Sequence, residues 1–305
     1  MRIEDVRRIA VVGGGTMGRQ IAFQCAGHGY DVVLYDIDEA ALEQAGARVD
    51  AYAGELEASG VITAEVRASA RHRITVTSDL LTAAADADLV SEAVPEDPKL
   101  KGRILGEFNA ACPSRTIFTT NTSTLVPSQF AKASGRGGRL LALHFHQPVW
   151  VNNLADVMPH PGTAPEVTRL VVAFARRIGQ VPIELRREHN GYVFNSMYSA
   201  LNSAAITLAQ QGVASIEDID RSWMHITKAP VGPLGALDAV GLDTVWTITD
   251  FWASQLGDAQ LRANAEFLKA YVDRGDLGVK SGRGFYTYPD PAYARPDFIQ
   301  SPVDR

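Results

Sequence analysis

Gly13, Gly15 and Gly18 form a G-x-G-x-x-G pattern between the apolar run Arg8 to Val12 and a stretch of helical spacing, Met17 to Gly27. In such a loop the first glycine permits a tight turn, the second lets a pyrophosphate approach the backbone, and the third lets helix and strand pack closely. The helix N-terminus adds free amide groups and partial positive charge for the phosphates. Glycine-rich turns are common, and a methyltransferase loop competes for this pattern. Here, however, an acidic residue, Asp36, ends the next β-branched run, about 20 residues on, as a dinucleotide fingerprint requires. Its carboxylate suits the two ribose hydroxyls of NAD and would repel a 2′-phosphate, so NAD is expected over NADP.

A second group of residues offers acid–base chemistry. His144 lies in the apolar run Leu140 to Phe145. An imidazole with a pKa of about 6.5 is suited to take the hydroxyl proton when hydride leaves a carbinol carbon. On its own, a histidine between Leu143 and Phe145 is more often a satisfied structural residue. His146, two residues along, competes for the role and is placed on the opposite face of the strand. Ser123 and Thr122 could simply shape a turn, and Asn195 falls inside a helical pattern where a solvent-facing asparagine is ordinary.

Strand-like runs at Arg8 to Val12, Asp31 to Tyr35, Ile74 to Val76, Leu89 to Ala93 and Ile117 to Thr120 alternate with helical stretches and must position these groups. Leu140 to Phe145, Ala155 to Met158 and Val181 to Leu185 add further strands, and the alternation predicts a parallel sheet covered on both faces. After about Arg187 the pattern becomes helical throughout. Val193, Met197, Leu201, Ala205 and Leu208 form a stripe on one long helix predicted over 191–211, and Ser215 with Asp218 reads as the start of another. The expected architecture is an α/β, Rossmann-type doubly wound domain over 1–187 and an all-helical domain over 188–305, with the substrate in the cleft between them. The tail from Gly275 is expected to pack as an extended segment.

The chain has 305 residues, 46% of them hydrophobic and 21% charged, with 29 Lys and Arg against 35 Asp and Glu. The balance fits a globular protein and argues against a nucleic-acid surface. No apolar run reaches the roughly 18 residues of a membrane span, and the two cysteines show no paired spacing. A reduced, cytoplasmic setting is expected.

Six ordered segments carry a family resemblance: Glu92-Ala-Val-Pro-Glu-Asp-Pro-Lys-Leu-Lys101, Asn121-Thr-Ser-Thr-Leu125, Leu143-His-Phe-His-Gln-Pro148, Gly191-Tyr-Val-Phe-Asn195, Pro230-Val-Gly-Pro233 and Lys280-Ser-Gly-Arg-Gly-Phe-Tyr286. With the glycine loop, they make nearly the whole chain resemble the 3-hydroxyacyl-CoA dehydrogenase family. The resemblance implies NAD-dependent oxidation of a 3-hydroxyacyl group, with His144 as base and Ser123 and Asn195 holding the substrate's oxygens. Glu96 and Lys101 fall where the family touches the nicotinamide half of NAD. Gly13, Gly15, Thr16, Met17, Gly18, Asp36 and Asn121 complete the expected cofactor set, no metal is expected, and a homodimer through the helical domain is implied. A carboxylate on the other ring nitrogen would fix the tautomer of the base and stabilise the imidazolium.

The sequence departs from the family around that base. Asp156 stands where glutamate is usual, shorter by one methylene, or about 1.5 Å of reach. Either the backbone comes closer, a water intervenes, or the pair is weak. His146 and Gln147 replace a usual phenylalanine and asparagine. Trp150 and Asn152-Asn153 replace smaller residues. Gln147 and Trp150 are therefore expected to line the acyl end of a pocket for a short or polar acyl group. A grip on a CoA 3′-phosphate would fall to Arg48, Arg67, Arg71 or Arg73; a solvated helix face is the alternative reading of these arginines. The segment Pro159-His-Pro161 is shared with relatives acting on gulonate or carnitine. A free 3-hydroxy acid, a carrier-protein-bound group and a non-catalytic NAD-binding relative of the lens-crystallin kind thus stand as alternatives.

Overall fold

The computed structural model describes residues 1–299. The chain separates into two compact units, the first ending at Val193 and the second beginning at Phe194. The first runs β1 (Arg8–Val12), α1 (Thr16–Gly27), β2 (Asp31–Tyr35), α2 (Glu39–Ala58), α3 (Ala64–Arg73), β3 (Ile74–Thr77), α4 (Leu80–Ala84), β4 (Leu89–Glu92), α5 (Pro98–Ala111), β5 (Ile117–Thr120), α6 (Ser128–Ala131), β6 (Leu140–Phe145), β7 (Leu154–Pro159), α7 (Pro165–Arg177) and β8 (Val181–Glu184).

These strands form one sheet in the order β3-β2-β1-β4-β5-β6-β7-β8. Successive side chains of a strand face opposite ways. Ile9 and Val11 accordingly join Phe23, Leu143 and Phe174 in the core on one face, and Ala10 and Val12 join Leu105, Phe108 and Phe118 on the other. Because β2 and β4 flank β1, the strand order reverses there, and a crevice opens beyond the carboxyl ends of the strands. The glycine loop occupies that position.

The sheet is not wholly parallel as expected: β7 runs antiparallel to β6. A parallel return needs a crossover of a dozen or more residues. The connection 146–153 is too short for one.

The second unit holds α8 (Phe194–Gln210), α9 (Ile216–Thr227), α10 (Pro233–Val240), α11 (Leu242–Leu256) and α12 (Ala259–Asp273). Helix α8 starts three residues later than its apolar stripe suggests, because Gly191 and Tyr192 have φ of 79° and 54°, outside the helical region. The Ser215 hydroxyl accepts from the Asp218 amide at 3.1 Å and caps α9 as expected. Leu234, Leu237, Leu242 and Leu268 form its core with Ile206 and Ile219.

The tail is tied down by two buried carboxylates. Asp238 accepts from the Phe285 and Tyr286 amides, both at 2.9 Å. Asp220 accepts from the Leu234 and Gly235 amides and the Tyr286 hydroxyl. Gly278, at φ 92°, lets the chain pass so close to Asp238 that a Cβ there would meet its carbonyl oxygen at 2.2 Å. The Lys280 to Tyr286 segment is thus structural. The part of the expected extended tail over 300–305 lies outside the described residues. No helix among the described residues is long and apolar enough to cross a membrane.

Candidate active site

The three glycines differ physically as the fingerprint requires. Gly13 has φ 108°, and a Cβ there would meet the Ala93 carbonyl oxygen at 2.7 Å; on Gly18 it would lie 1.8 Å from the Gly13 carbonyl oxygen. Around Gly15, by contrast, a Cβ meets nothing within 4 Å. This open approach at the N-cap of α1, with Thr16 and Met17 in its first turn, is where a pyrophosphate could reach backbone amides. Asp36 leaves the end of β2 beside this loop. Its Oδ2 accepts from the Gly14 amide at 2.6 Å and its Oδ1 from the Asp38 amide at 3.0 Å. The residues present therefore fit a dinucleotide.

At the end of β4, Glu92 is wholly buried and Lys101, on the first turns of α5, has a side chain 1% exposed. An ammonium has three protons to donate. Here it meets Glu92 Oε1 at 2.8 Å, the Val94 carbonyl at 3.0 Å and Glu96 Oε2 at 3.3 Å. Lys101 is therefore engaged inside the protein by all three partners. Burial still holds the Glu92 carboxyl above its usual range, against the opposing charge of Lys101. Glu96 is the exposed end of this chain of charges. Its Oε1 gathers the Thr122 hydroxyl, the Ser123 amide at 3.0 Å and the Thr124 amide at 2.9 Å. Burial pushes its carboxyl up, but these hydrogen bonds and Lys101 outweigh it and hold the group low. Ser123 is thereby held by its backbone with its side chain exposed. Asn121 Oδ1 accepts from the Phe145 amide at 2.8 Å, tying the end of β5 to the end of β6.

His144 and Asp156 stand directly opposite each other in the antiparallel β6–β7 ladder, where Cβ atoms are about 4.5–5.5 Å apart. The reversal of β7 thus makes the pair, and it makes an aspartate long enough: His144 Nδ1 lies 3.2 Å from Asp156 Oδ2 without an intervening water. His146 does not turn away. Residues two apart share a strand face, so the expectation of an opposite face was mistaken, and His146 Nε2 reaches the same Oδ2 at 2.9 Å. The other oxygen of the fully buried Asp156, Oδ1, has no hydrogen-bond partner among the described residues.

Burial pushes the Asp156 carboxyl up, yet the two imidazole hydrogen bonds outweigh it and hold the group below its usual range. An ionised carboxylate only accepts. Nδ1 of His144 must therefore carry the proton, which leaves Nε2 with a lone pair. Burial lowers the basicity of His144, Asp156 opposes that, and the neighbouring His146 adds to the lowering. The Tyr192 ring stacks on His144 with centroids 4.7 Å apart and donates its hydroxyl proton to the Thr122 carbonyl at 2.7 Å. The donor atoms of His144, His146 and Asp156 lie within 4.8 Å of one another, but two of the spacings are hydrogen bonds. A bridging ion at about 2.0–2.1 Å from each nitrogen would require the carboxylate to retreat.

Two residues expected at the acyl end of the pocket differ in their surroundings. The Trp150 ring packs 5.2 Å from that of Phe23 and 5.0 Å from that of His28, at the end of α1, where a Cβ on Gly27 would strike it at 2.8 Å. It belongs to the core because the 146–153 loop leaves the sheet before turning back. Gln147 is exposed and its carbonyl accepts from Asn152 Nδ2 at 2.7 Å, while Asn153 Nδ2 donates to the Gly179 carbonyl. Both asparagines shape the loop. Of the arginines, Arg67 is forked onto Asp50 and also pairs with Glu57, Arg71 pairs with Asp50, and Arg73 with Asp31. Arg48 donates to Gln44. Asn195 lies on the first turn of α8 in the second unit.

Sequence reasoning missed three partners. Glu92 is nine residues from Lys101 and could have been suspected as the partner of a buried ammonium. The sharing of Asp156 by His146 follows from strand periodicity. Nothing in the sequence marks Tyr192 as the ring stacked on His144.

Comparison with known proteins gives the family. The model of the 3-hydroxyacyl-CoA dehydrogenase NAD-binding domain matches residues 8–189, and that of the C-terminal domain of the same family matches residues 191–288. A probable 3-hydroxybutyryl-CoA dehydrogenase of Bacillus subtilis is 34% identical, over 94% of this chain and 99% of its own. Among solved structures, a diketoreductase, described as acting on dicarbonyl compounds, superposes with a TM-score of 0.86 at 43% identity, covering 93% of this chain and 99% of that one. An (S)-3-hydroxybutyryl-CoA dehydrogenase of Ralstonia eutropha superposes at 0.84 with 31% identity, covering 94% and 100%. A glycine-rich strand–helix loop, an acidic residue beside it and a buried histidine–carboxylate pair thus occur in a chain that belongs, over nearly its whole length, to the 3-hydroxyacyl-CoA dehydrogenase family of NAD-dependent oxidoreductases.

Proposed function

We propose that this enzyme interconverts a short (S)-3-hydroxyacyl thioester of CoA and the 3-oxoacyl form, with His144 as the base. The observation that carries the reading is the buried His144–Asp156 contact, which leaves Nε2 of the imidazole able to accept a proton. NAD, when bound, accepts the hydride. The residues of the chain do the rest. Nε2 of His144 takes the proton of the 3-hydroxyl, and the Asp156 carboxylate stabilises the imidazolium that results. In the reverse direction the imidazolium returns that proton to the 3-oxo oxygen. Ser123 and Asn195 hold the hydroxyl and carbonyl oxygens and fix which face of the carbinol is presented. Gly13, Gly15, Gly18 and the first turn of α1 seat the pyrophosphate, Asp36 binds the ribose, and Glu96 orders the Asn121 to Leu125 segment at the nicotinamide end. A homodimer through exposed apolar residues of the helical unit, among them Met197 and Leu208, completes the reading.

A second substrate reading has specific support. The diketoreductase is 43% identical, and the arginines considered for a CoA phosphate are engaged in ion pairs or, for Arg48, in a hydrogen bond. The same proton and hydride transfers would then serve a small β-dicarbonyl compound carried by no CoA.

Following NADH absorbance with acetoacetyl-CoA, with carrier-protein thioesters, and with free 3-oxo acids and β-diketo esters tests both. Turnover is expected with at least one of these, CoA thioesters leading. His144→Gln should retain NADH binding and lose turnover. No turnover of any of these substrates by the unaltered protein would overturn the enzymatic reading.

A further inference from the structure

We infer that His146 is a positioning residue for His144: its Nε2–H shares the single oxygen Oδ2 of Asp156 and pins the short carboxylate against the ring of the base. Nothing in the reaction requires a second imidazole. Yet His146 is brought to 2.9 Å from an oxygen that already accepts from His144 at 3.2 Å, and the two rings meet edge to face with centroids 4.6 Å apart. The side chain of His146 is 14% exposed and that of Asp156 wholly buried, so water does little to blunt the interaction.

Two consequences follow from one oxygen serving two donors. The first is geometric. A carboxylate with an Oδ1 that has no partner among the described residues could turn about its terminal torsion, which is broad, and present either oxygen to Nδ1. The second hydrogen bond opposes that rotation and keeps Oδ2 on the base. The second is electrostatic. Charge on Oδ2 that is already drawn towards the His146 N–H stabilises an imidazolium at His144 less than an unshared carboxylate would. His144 is thereby kept a weaker base, unprotonated to lower pH.

Other titratable groups also face the ring: Asp156 from β7, Glu96 from the loop before α5, and Tyr192 from the segment before α8. None of them donates to Asp156 Oδ2 in place of His146. Among the described residues, His146 alone combines proximity to His144 with a hydrogen bond to its carboxylate.

The inference rests on His144 being the base, but it can be read without substrate. The His144 imidazole is titrated by NMR in the full-length protein, in the unaltered form and in His146→Phe and His146→Gln. Phenylalanine keeps a ring and removes the donor; glutamine keeps an N–H donor. Thermal melts confirm that each variant is folded. His146→Phe should raise the midpoint of His144 by about half to one pH unit, and His146→Gln should leave it near the unaltered value. In an active preparation the acid limb of kcat/KM for alcohol oxidation should move with it. An upward shift with phenylalanine that glutamine lacks supports the inference. No shift, a downward shift, or the same shift in both variants overturns it. Absence of turnover with every substrate would count against the proposed reaction and leave the titration as the test of His146.

Discussion

Asp156→Asn isolates the charge of the carboxylate from its shape. The Oδ2 position accepts from both imidazoles, whereas Oδ1 is buried without a partner. An asparagine can therefore place its oxygen on the two N–H groups and its amide nitrogen where nothing was bonded. Size and hydrogen bonds are kept, and the negative charge is lost. An imidazolium and a carboxylate about 4 Å apart attract by about 4 kcal/mol at the effective dielectric constant of about 20 that suits protein sites. At about 1.4 kcal/mol per tenfold, the variant should lose roughly 10³-fold in kcat for alcohol oxidation. NADH affinity should stay within about twofold, while the asparagine's buried amide N–H groups, placed where Oδ1 has no partner, should cost on the order of 1–3 kcal/mol of stability. The assay is NADH formation from a 3-hydroxyacyl-CoA under saturating NAD, with NADH binding measured by fluorescence. If kcat falls by less than tenfold while the variant folds normally, Asp156 does not act through its charge and the derivation fails.

The remaining predictions address separate parts of the molecule. Because burial, opposed by Asp156, keeps His144 below its usual value of 6.5, alcohol oxidation should rise with pH along an acid limb centred below 6.5, while reduction, which needs the protonated ring, should decline over the same range. A limb centred clearly above that value would contradict the assignment. Lys101→Met strands the buried Glu92 carboxylate and should cost about 3–5 kcal/mol of stability. Adding Glu92→Gln should restore part of it, as chemical denaturation would show, and an unchanged midpoint for the single variant would refute the role of Lys101 as an internal counter-ion. On α11, Ile248, Phe251 and Leu256 are each more than half exposed. If they belong to a dimer face, Phe251→Asp should shift the protein towards monomer in analytical ultracentrifugation, and a wild-type monomer would remove the proposal.

Much of the site was legible in the sequence because it lies in local patterns. A glycine loop between a strand and a helix is set by backbone sterics over a few residues. Asp36 could be placed because it is counted from that loop along one strand. The alternation of strands and helices was legible for the same reason. By contrast, the His144–Asp156 pair depended on the direction of β7, which periodicity cannot give since parallel and antiparallel strands share a period of two. Connection length was the signal overlooked.

Where the side chains of the 146–153 loop settle was the least legible property. Trp150 and Gln147 lie between the base and its carboxylate in sequence, yet one packs against Phe23 and His28 and the other is exposed in a loop. The burial of the Lys101 ammonium against Glu92 was likewise not legible, because it is a three-dimensional fact.

The sequence by itself determined the fold class and the NAD-binding domain and singled out the glycine loop and His144 as candidates, since each is written in residues close along the chain or in ordered motifs. Tertiary structure alone decided how that imidazole is held. Cross-strand register set Asp156 opposite His144, shared strand parity brought His146 to the same oxygen, and a left-handed turn at Tyr192 stacked a ring on the base. Those contacts join residues distant along the chain, and only the packing of the sheet fixes their distances.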